Sequence, residues 1–258
     1  MHEAALEHNK IVATFAYSNE EMASKFSHRR VPAVFLRSNV EGMLLSGSMD
    51  EQLMNRVNEV RLPHVFMNVN DAHRQPCDSI SFNEDHCGRL ATEHLLHLGH
   101  RNLVHVSLDN PDGGRHYSTR HRRRAFESTV SDAGVRGRVV FYDRNADDPL
   151  AHLRAILKDA DRPTAIFAYN NQLTLATYRV LSELGLSCRD VGLVGVQWQS
   201  EYEVQELRIN HVALPAPEMG KLAFEALMRK ISGEKDLPAI ELRGTLVESA
   251  SVFPVSSP

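Results

Sequence analysis

Ala165-Ile166-Phe167-Ala168-Tyr169-Asn170-Asn171 begins the stretch that decides the fold, which runs on to Val191-Gly192-Leu193-Val194-Gly195-Val196. The first five residues form an unbroken apolar run, which reads as a strand buried on both faces. A helix is predicted from Asn171 to Leu184, stopped by Gly185, a good residue for a helix C-terminus. Val191–Val196 is a second apolar strand. A strand, a helix and a strand in close succession make a parallel unit with the helix packed on the sheet.

The same rhythm extends in both directions. Towards the C-terminus come strands at 211–214 and 240–247, with a helix at 217–231 between them. Towards the N-terminus come a helix at 149–160, strand 138–142, helix 119–133 and strand 102–108. Before these lie a helix over 85–98, strands at 79–82, 64–68 and 42–45, a helix at 51–60 and a strand at 10–17. Short apolar strands alternating with helices predict an α/β chain with helices on both faces of parallel sheets. There are more strands than one small sheet needs. Two doubly wound parallel-sheet lobes with a cleft between them fit better than a closed barrel.

The chain has 258 residues, 42% hydrophobic and 24% charged, with a formal net charge of -4. This is the composition of a globular protein and excludes collagen-like or disordered classes. No basic surplus marks the chain as a clamp on phosphate backbones. Its three cysteines, Cys77, Cys87 and Cys188, form no Cys-x-x-Cys pair, which suits a reducing compartment better than a disulfide scaffold. The N-terminus lacks the basic-then-apolar pattern of a signal peptide, and no apolar run is long enough to span a bilayer. A cytoplasmic location without membrane contact is therefore expected.

No cofactor is expected. There is no Gly-x-Gly-x-x-Gly after a strand and no Walker A sequence, and Asp112-Gly113-Gly114 lacks a phosphate-loop lysine. No Gly-x-Ser-x-Gly nucleophile turn occurs. His94, His97 and His100 lie three apart at a helix end, but the better reading puts His94 on the apolar stripe and His97 in solvent, so no metal site is expected. The run Arg120-His121-Arg122-Arg123-Arg124 falls within a helix, so its side chains fan around the axis and form no single basic stripe. One of these arginines is a candidate to clamp a polar or anionic ligand. Trp198 follows a strand C-terminus, where ligands of open α/β sheets bind, and its ring can stack on a sugar or base or pack beneath the next loop. Asn170 and Asn171 can cap the following helix or hold ligand hydroxyls.

These stretches resemble, in order, the effector-binding core of the lac-repressor-type (LacI/GalR) transcriptional regulators. The helix 90–101 ends in Leu98-Gly99-His100-Arg101. Ser118 to Phe126 is similar to the family's Ser…Arg-x-x-Gly-Phe segment, with Ala125 in place of the glycine. Pro163 to Asn171 is similar to its Pro-Thr-Ala-Ile-Phe-x-x-Asn-Asp. Leu181–Leu186, Asp190–Gly195 and Pro217–Ala223 match its next helix, strand and Glu-Met-Gly helix. Each motif alone is weak, but the ordered set covers nearly the whole chain.

The resemblance implies a periplasmic-binding-protein-like type I fold whose lobes are joined by three crossovers. Residues 1–100 plus 215–241 would form the N-terminal lobe, and 101–214 plus 242–258 the C-terminal lobe. It implies a sensing and dimerising core of a DNA-binding regulator, most simply a repressor. A small sugar-like or related metabolite would bias the lobes of a homodimer. Operator DNA would be reached only through a helix-turn-helix headpiece not present in this chain. The first strand of the first lobe is also missing, so the chain reads as part of a longer regulator. A solute-binding protein of transport or chemoreception is the second reading, and an α/β enzyme the third.

Residue by residue, the resemblance assigns ligand contacts to Arg122, Asn170, Gln197 and His86, and Trp198 adds an aromatic face. Gln197-Trp198 stands where the family has Asp-Asp, and Asn171 replaces the aspartate of Asn-Asp. With three acidic groups gone and Arg122 kept, the expected effector is a sugar acid, a sugar phosphate or a ring that stacks on Trp198.

Overall fold

The computed structural model describes residues 2–16, 39–47, 55, 57, 59, 62–69, 78–108, 116–198 and 206–255. In chain order the elements are α1 (His2–Glu7), β1 (Met43–Gly47), β2 (His64–Val69), β3 (Ser79–Phe82), α2 (Glu84–His97), β4 (Asn102–Ser107), α3 (Tyr117–Asp132) and β5 (Arg136–Phe141). There follow α4 (Ala151–Lys158), β6 (Ala165–Ala168), α5 (Asn171–Glu183), β7 (Gly192–Trp198), β8 (Asn210–Leu214), α6 (Ala216–Ile231), β9 (Ile240–Leu242) and β10 (Thr245–Val247). The chain divides into two units. The first holds residues 1–82, 115–117 and 216–242, and the second holds 83–114, 118–215 and 243–258.

In the first unit β1, β2, β3 and β9 form a parallel sheet in that order. Its strands are short and largely buried, so a helix must cover them. α6 does so with Met219, Ala223, Phe224 and Leu227 buried at helical spacing, and Ala4 and Ala5 of α1 pack on Phe224. Gly42 is needed where it stands, because a Cβ there would come within 2.8 Å of Leu227 Cδ1 and 2.9 Å of Pro63 O. Lys230 of α6 pairs with Asp78, whose other oxygen accepts the Leu237 amide at 3.0 Å. The hydroxyl of Tyr117 donates to Asn68 Oδ1 at 2.9 Å and accepts the Phe82 amide at 3.1 Å.

In the second unit the strand order is β10-β8-β7-β6-β4-β5. The five strands from β8 to β5 run parallel and β10 pairs antiparallel with β8, a common edge arrangement. Val104, Ile166 and Leu193 from three neighbouring strands join Leu153 of α4 and Leu173 and Val180 of α5 in one buried cluster. Helix α5 packs on one face of β7 and α2 on the other. A Cβ at Gly195 would strike the Thr174 side chain of α5, whereas one at Gly192 would face Val252 and His100. Ser251 stitches the C-terminal segment to the sheet. Its Oγ donates to Leu193 O at 2.5 Å and accepts the Asn210 amide at 2.7 Å. No helix among the described residues is long and apolar enough to cross a membrane.

Three expectations are corrected. Residues 10–16 form no strand. Among the described residues β1 has a ladder partner in β2 alone, so no strand there pairs with 10–16, and Ile11 is 96% exposed. Tyr17 and most of the helix over 51–60 lie outside the described residues. The single strand predicted over 240–247 is two strands, β9 and β10, in different sheets. The chain changes sheet at Arg243-Gly244, where a Cβ on Gly244 would meet Val212 Cγ1 at 2.6 Å and Cys87 Sγ at 3.0 Å. Finally, residues 83–100 fall in the second unit, not with the first 82 residues, because α2 buries Cys87, Ala91, Thr92 and Leu95 in packing on β6, β7, β8 and β10.

Candidate functional site

Strands β7, β6 and β4 lie side by side, and their C-terminal ends fall together. Three polar side chains there carry buried atoms with no hydrogen-bond partner: Ser107 Oγ at the end of β4, Asn171 Oδ1 just after β6, and both Oε1 and Nε2 of Gln197 on β7. Ser107 is fully buried and Gln197 is 2% exposed. Buried polar groups left unpaired cost about 1–3 kcal/mol each, and native interiors rarely tolerate them without a use.

Strand alternation places Gln197 on the same face as Gly195, the face that carries α5. Trp198 falls on the opposite face at the strand end and is 40% exposed. The two residues read together from the sequence therefore do not share a face of β7. Asn170 serves as the N-cap of α5. Its Oδ1 accepts the Leu173 amide at 3.0 Å, which fixes the helix start beside the strand end.

Arg122 is 4% exposed, in the middle of α3. Of its run, Arg120 and Arg124 are exposed and His121 and Arg123 half-buried, as fanning around a helix requires. Its Nε donates to Glu84 Oε2 at 2.6 Å and its Nη1 to Tyr169 O at 2.6 Å. The guanidinium carbon lies 4.8 Å from the Tyr169 ring centroid, and the Tyr169 hydroxyl is 2.6 Å from Ser118 Oγ. Burial works against the charge on Arg122, but the Glu84 carboxylate outweighs it and raises its pKa further. The expected anion clamp is therefore already occupied by a carboxylate of the same chain. Glu84 gave no signal in the sequence, where it stands one residue before the predicted helix 85–98, and an acidic residue at a helix start is explained by the helix dipole alone.

The ion pair requires α2 and α3 to lie close, and Gly88 permits it. A Cβ there would come within 2.7 Å of Arg122 O and 3.0 Å of Ala125 Cβ. Beneath the pair, His105 stacks on Phe167 with ring centroids 4.5 Å apart, and its Nδ1 donates to Phe167 O at 3.0 Å. Burial, reinforced by the charges of Arg122 and Arg123, pushes its pKa down to about 3, so it stays neutral. Burial and the charge of Glu84 push the Cys87 thiol up to about 12, which leaves it protonated and a poor nucleophile.

His86 lies on the first turn of α2. Its backbone amide donates to the Asn83 cap at 2.8 Å and its Nε2 lies 3.2 Å from Gly244 O. It is thus tied to the sheet-changing segment. Asp85 pairs with His121 at 2.5 Å and Arg124 at 2.7 Å. Burial opposes its charge, but these two partners hold its pKa below the usual carboxylate value. His94 is buried and accepts from Asn210 Nδ2 at 3.0 Å, while His97 is exposed. Among the described residues no three His, Cys, Asp or Glu side chains converge as metal ligands. A cavity of about 410 Å³ lies at the opposite, N-terminal ends of the strands. Its Arg101 donates to Leu96 O and His100 O, and its Arg136 pairs with Asp161, so neither arginine is free for a ligand.

A periplasmic binding protein-like domain matches residues 92–252. Two relatives are the HTH-type transcriptional repressors PurR of Photorhabdus laumondii and Yersinia enterocolitica, 26% and 27% identical over 230 residues, covering 85% of this chain. The chain spans 65% of the length of these relatives. The lac repressor dimer bound to operator and the anti-inducer ONPF superposes with a TM-score of 0.77 at 20% identity, covering 97% of this chain and 86% of that one. A putative LacI-family regulator from Rhizobium etli gives 0.76 at 24% identity, covering 97% and 90%. With more than half its length matched, the chain belongs to the periplasmic binding protein-like domain family.

Proposed function

We propose that this chain is the effector-sensing core of a DNA-binding transcriptional regulator, a repressor that acts as a homodimer and reaches its operator through a separate headpiece. The observation that carries the reading is the set of unpaired buried polar atoms on Ser107, Asn171 and Gln197 at adjoining strand ends, where open α/β sheets take their ligands. The names of the relatives point the same way. The chemistry is recognition without turnover, since the buried thiol is protonated and the buried imidazole is neutral and held to a carbonyl. In this account Gln197, Asn170 and Asn171 face the effector, Trp198 and His86 border it, and Arg122 shapes the site from behind. The effector alters transcription through its unequal affinity for two conformations.

Thermal melting of the purified chain against a metabolite panel tests this. A true effector present at about 100 times its Kd stabilises the fold by about 2.7 kcal/mol, and mass spectrometry recovers it unchanged. Conversion of the stabilising compound to product, or stabilisation by no member of the panel, contradicts the proposal.

A further inference from the structure

Gln197 carries two of the unpaired buried atoms at the strand ends. Its residue is 2% exposed and neither amide atom has a hydrogen-bond partner. A carboxamide places one acceptor and two donors side by side in a plane. Its complement is another amide edge, with acceptor and donor reversed, which closes two parallel hydrogen bonds at once. A carboxylate at the same place accepts only, and so suits the paired hydroxyl donors of a polyol. The amide at 197 therefore selects a different partner.

The electrostatics narrow the class further. Ser107, Leu108, Tyr169, Asn170, Asn171, Gln197 and Trp198 are all uncharged. Arg122 and Glu84 neutralise each other at 2.6 Å, at 5% and 1% side-chain exposure. An anionic ligand would have to take Arg122 from Glu84 and leave a carboxylate buried without its partner, a costly exchange. A cationic ligand finds no free carboxylate among these residues. The sugar-acid and sugar-phosphate expectation rested on an unpaired Arg122, and the ion pair removes that basis.

We propose that Gln197 is the specificity-determining residue of this site and that its ligand is an uncharged molecule with an amide or lactam edge. This rests on the small-molecule reading above. The Asn171 carbonyl, also unpaired, supplies an acceptor for a further N–H on such a ligand. The amide costs stability while it waits, and that cost is returned when the ligand binds.

Calorimetry on the purified 258-residue chain tests this with uracil, 2-pyridone and nicotinamide against glucose, gluconate and glucose 6-phosphate. At least one of the first three binds, and Gln197→Leu and Gln197→Glu each weaken that binding about tenfold to a hundredfold, the effect of leaving buried partners unpaired. Without ligand, Gln197→Leu melts at or above the wild-type temperature, because it removes an unsatisfied buried group. Binding confined to glucose, gluconate or glucose 6-phosphate overturns the ligand class and leaves the sensor reading standing. Silence from all three amide probes, or amide binding that ignores Gln197→Leu, also overturns it. The sensor reading itself falls only in the metabolite melting screen.

Discussion

Arg122 and Glu84 are worth most as a pair. Each is almost wholly withdrawn from solvent, so removing one leaves the other buried and uncompensated. Glu84→Gln or Arg122→Ala is expected to lower the unfolding free energy in urea by about 3–5 kcal/mol. A double replacement, Glu84→Gln with Arg122→Met, should recover much of that loss, because neither charge is then stranded. A loss below about 1 kcal/mol for both single variants, the level of a surface pair, would show that the two residues do not meet in the interior. At this scale the sequence was partly legible. Asn170 as a helix cap and the burial of a single arginine from its run follow from local rules. Glu84 did not, because its partner lies 38 residues away and no local pattern records that approach.

Elements were more legible than their partners. The alternation of apolar runs and helical segments located the strands and helices of the second unit to within about two residues, the usual uncertainty at element ends. It failed where pairing decides. Residues 10–16 have the apolar content of a strand, but among the described residues no strand pairs with them. Residues 240–247 read as one strand because Arg243-Gly244 is a weak break in the pattern, though it is where the chain changes sheets. The close approach of α2 and α3 at Gly88 was equally hidden, since a helical glycine carries no sign of what faces it. Gly88→Ala should force the Arg122 backbone to move and cost about 1–3 kcal/mol, read as a lower thermal midpoint. An unchanged midpoint would mean the two helices stand further apart.

At the scale of the whole molecule, acid is the expected weakness. His105 is held neutral with a folded pKa of about 3, and burial also lowers the values of His94, His100 and His211. The unfolded chain protonates these groups at their ordinary value of about 6.5. Between that pH and the folded value the unfolded state binds more protons, so stability falls as pH falls through this window, by up to about 1.4 kcal/mol per pH unit for each such histidine. Urea unfolding at a series of pH values should show a plateau above about pH 7 and a decline below it. His105→Phe should shallow that decline by one proton's worth, and an identical slope would contradict the buried, neutral histidine.

Fold class and family could be read from the ordered motifs, because each encodes a strand end or helix end that backbone physics fixes locally. The division into units could be read only in part, since helix α2 follows the sheet it packs on, which sequence order does not reveal. The central claim is that the C-terminal ends of β4, β6 and β7 receive a small molecule. Hydrogen–deuterium exchange of the chain with and without a stabilising ligand from the metabolite screen tests it most directly. Slowed exchange concentrated in peptides spanning residues 105–108, 168–173 and 195–198 is the predicted result. Protection centred on the opposite strand ends around Arg101 and Arg136, with those three peptides unchanged, would contradict it.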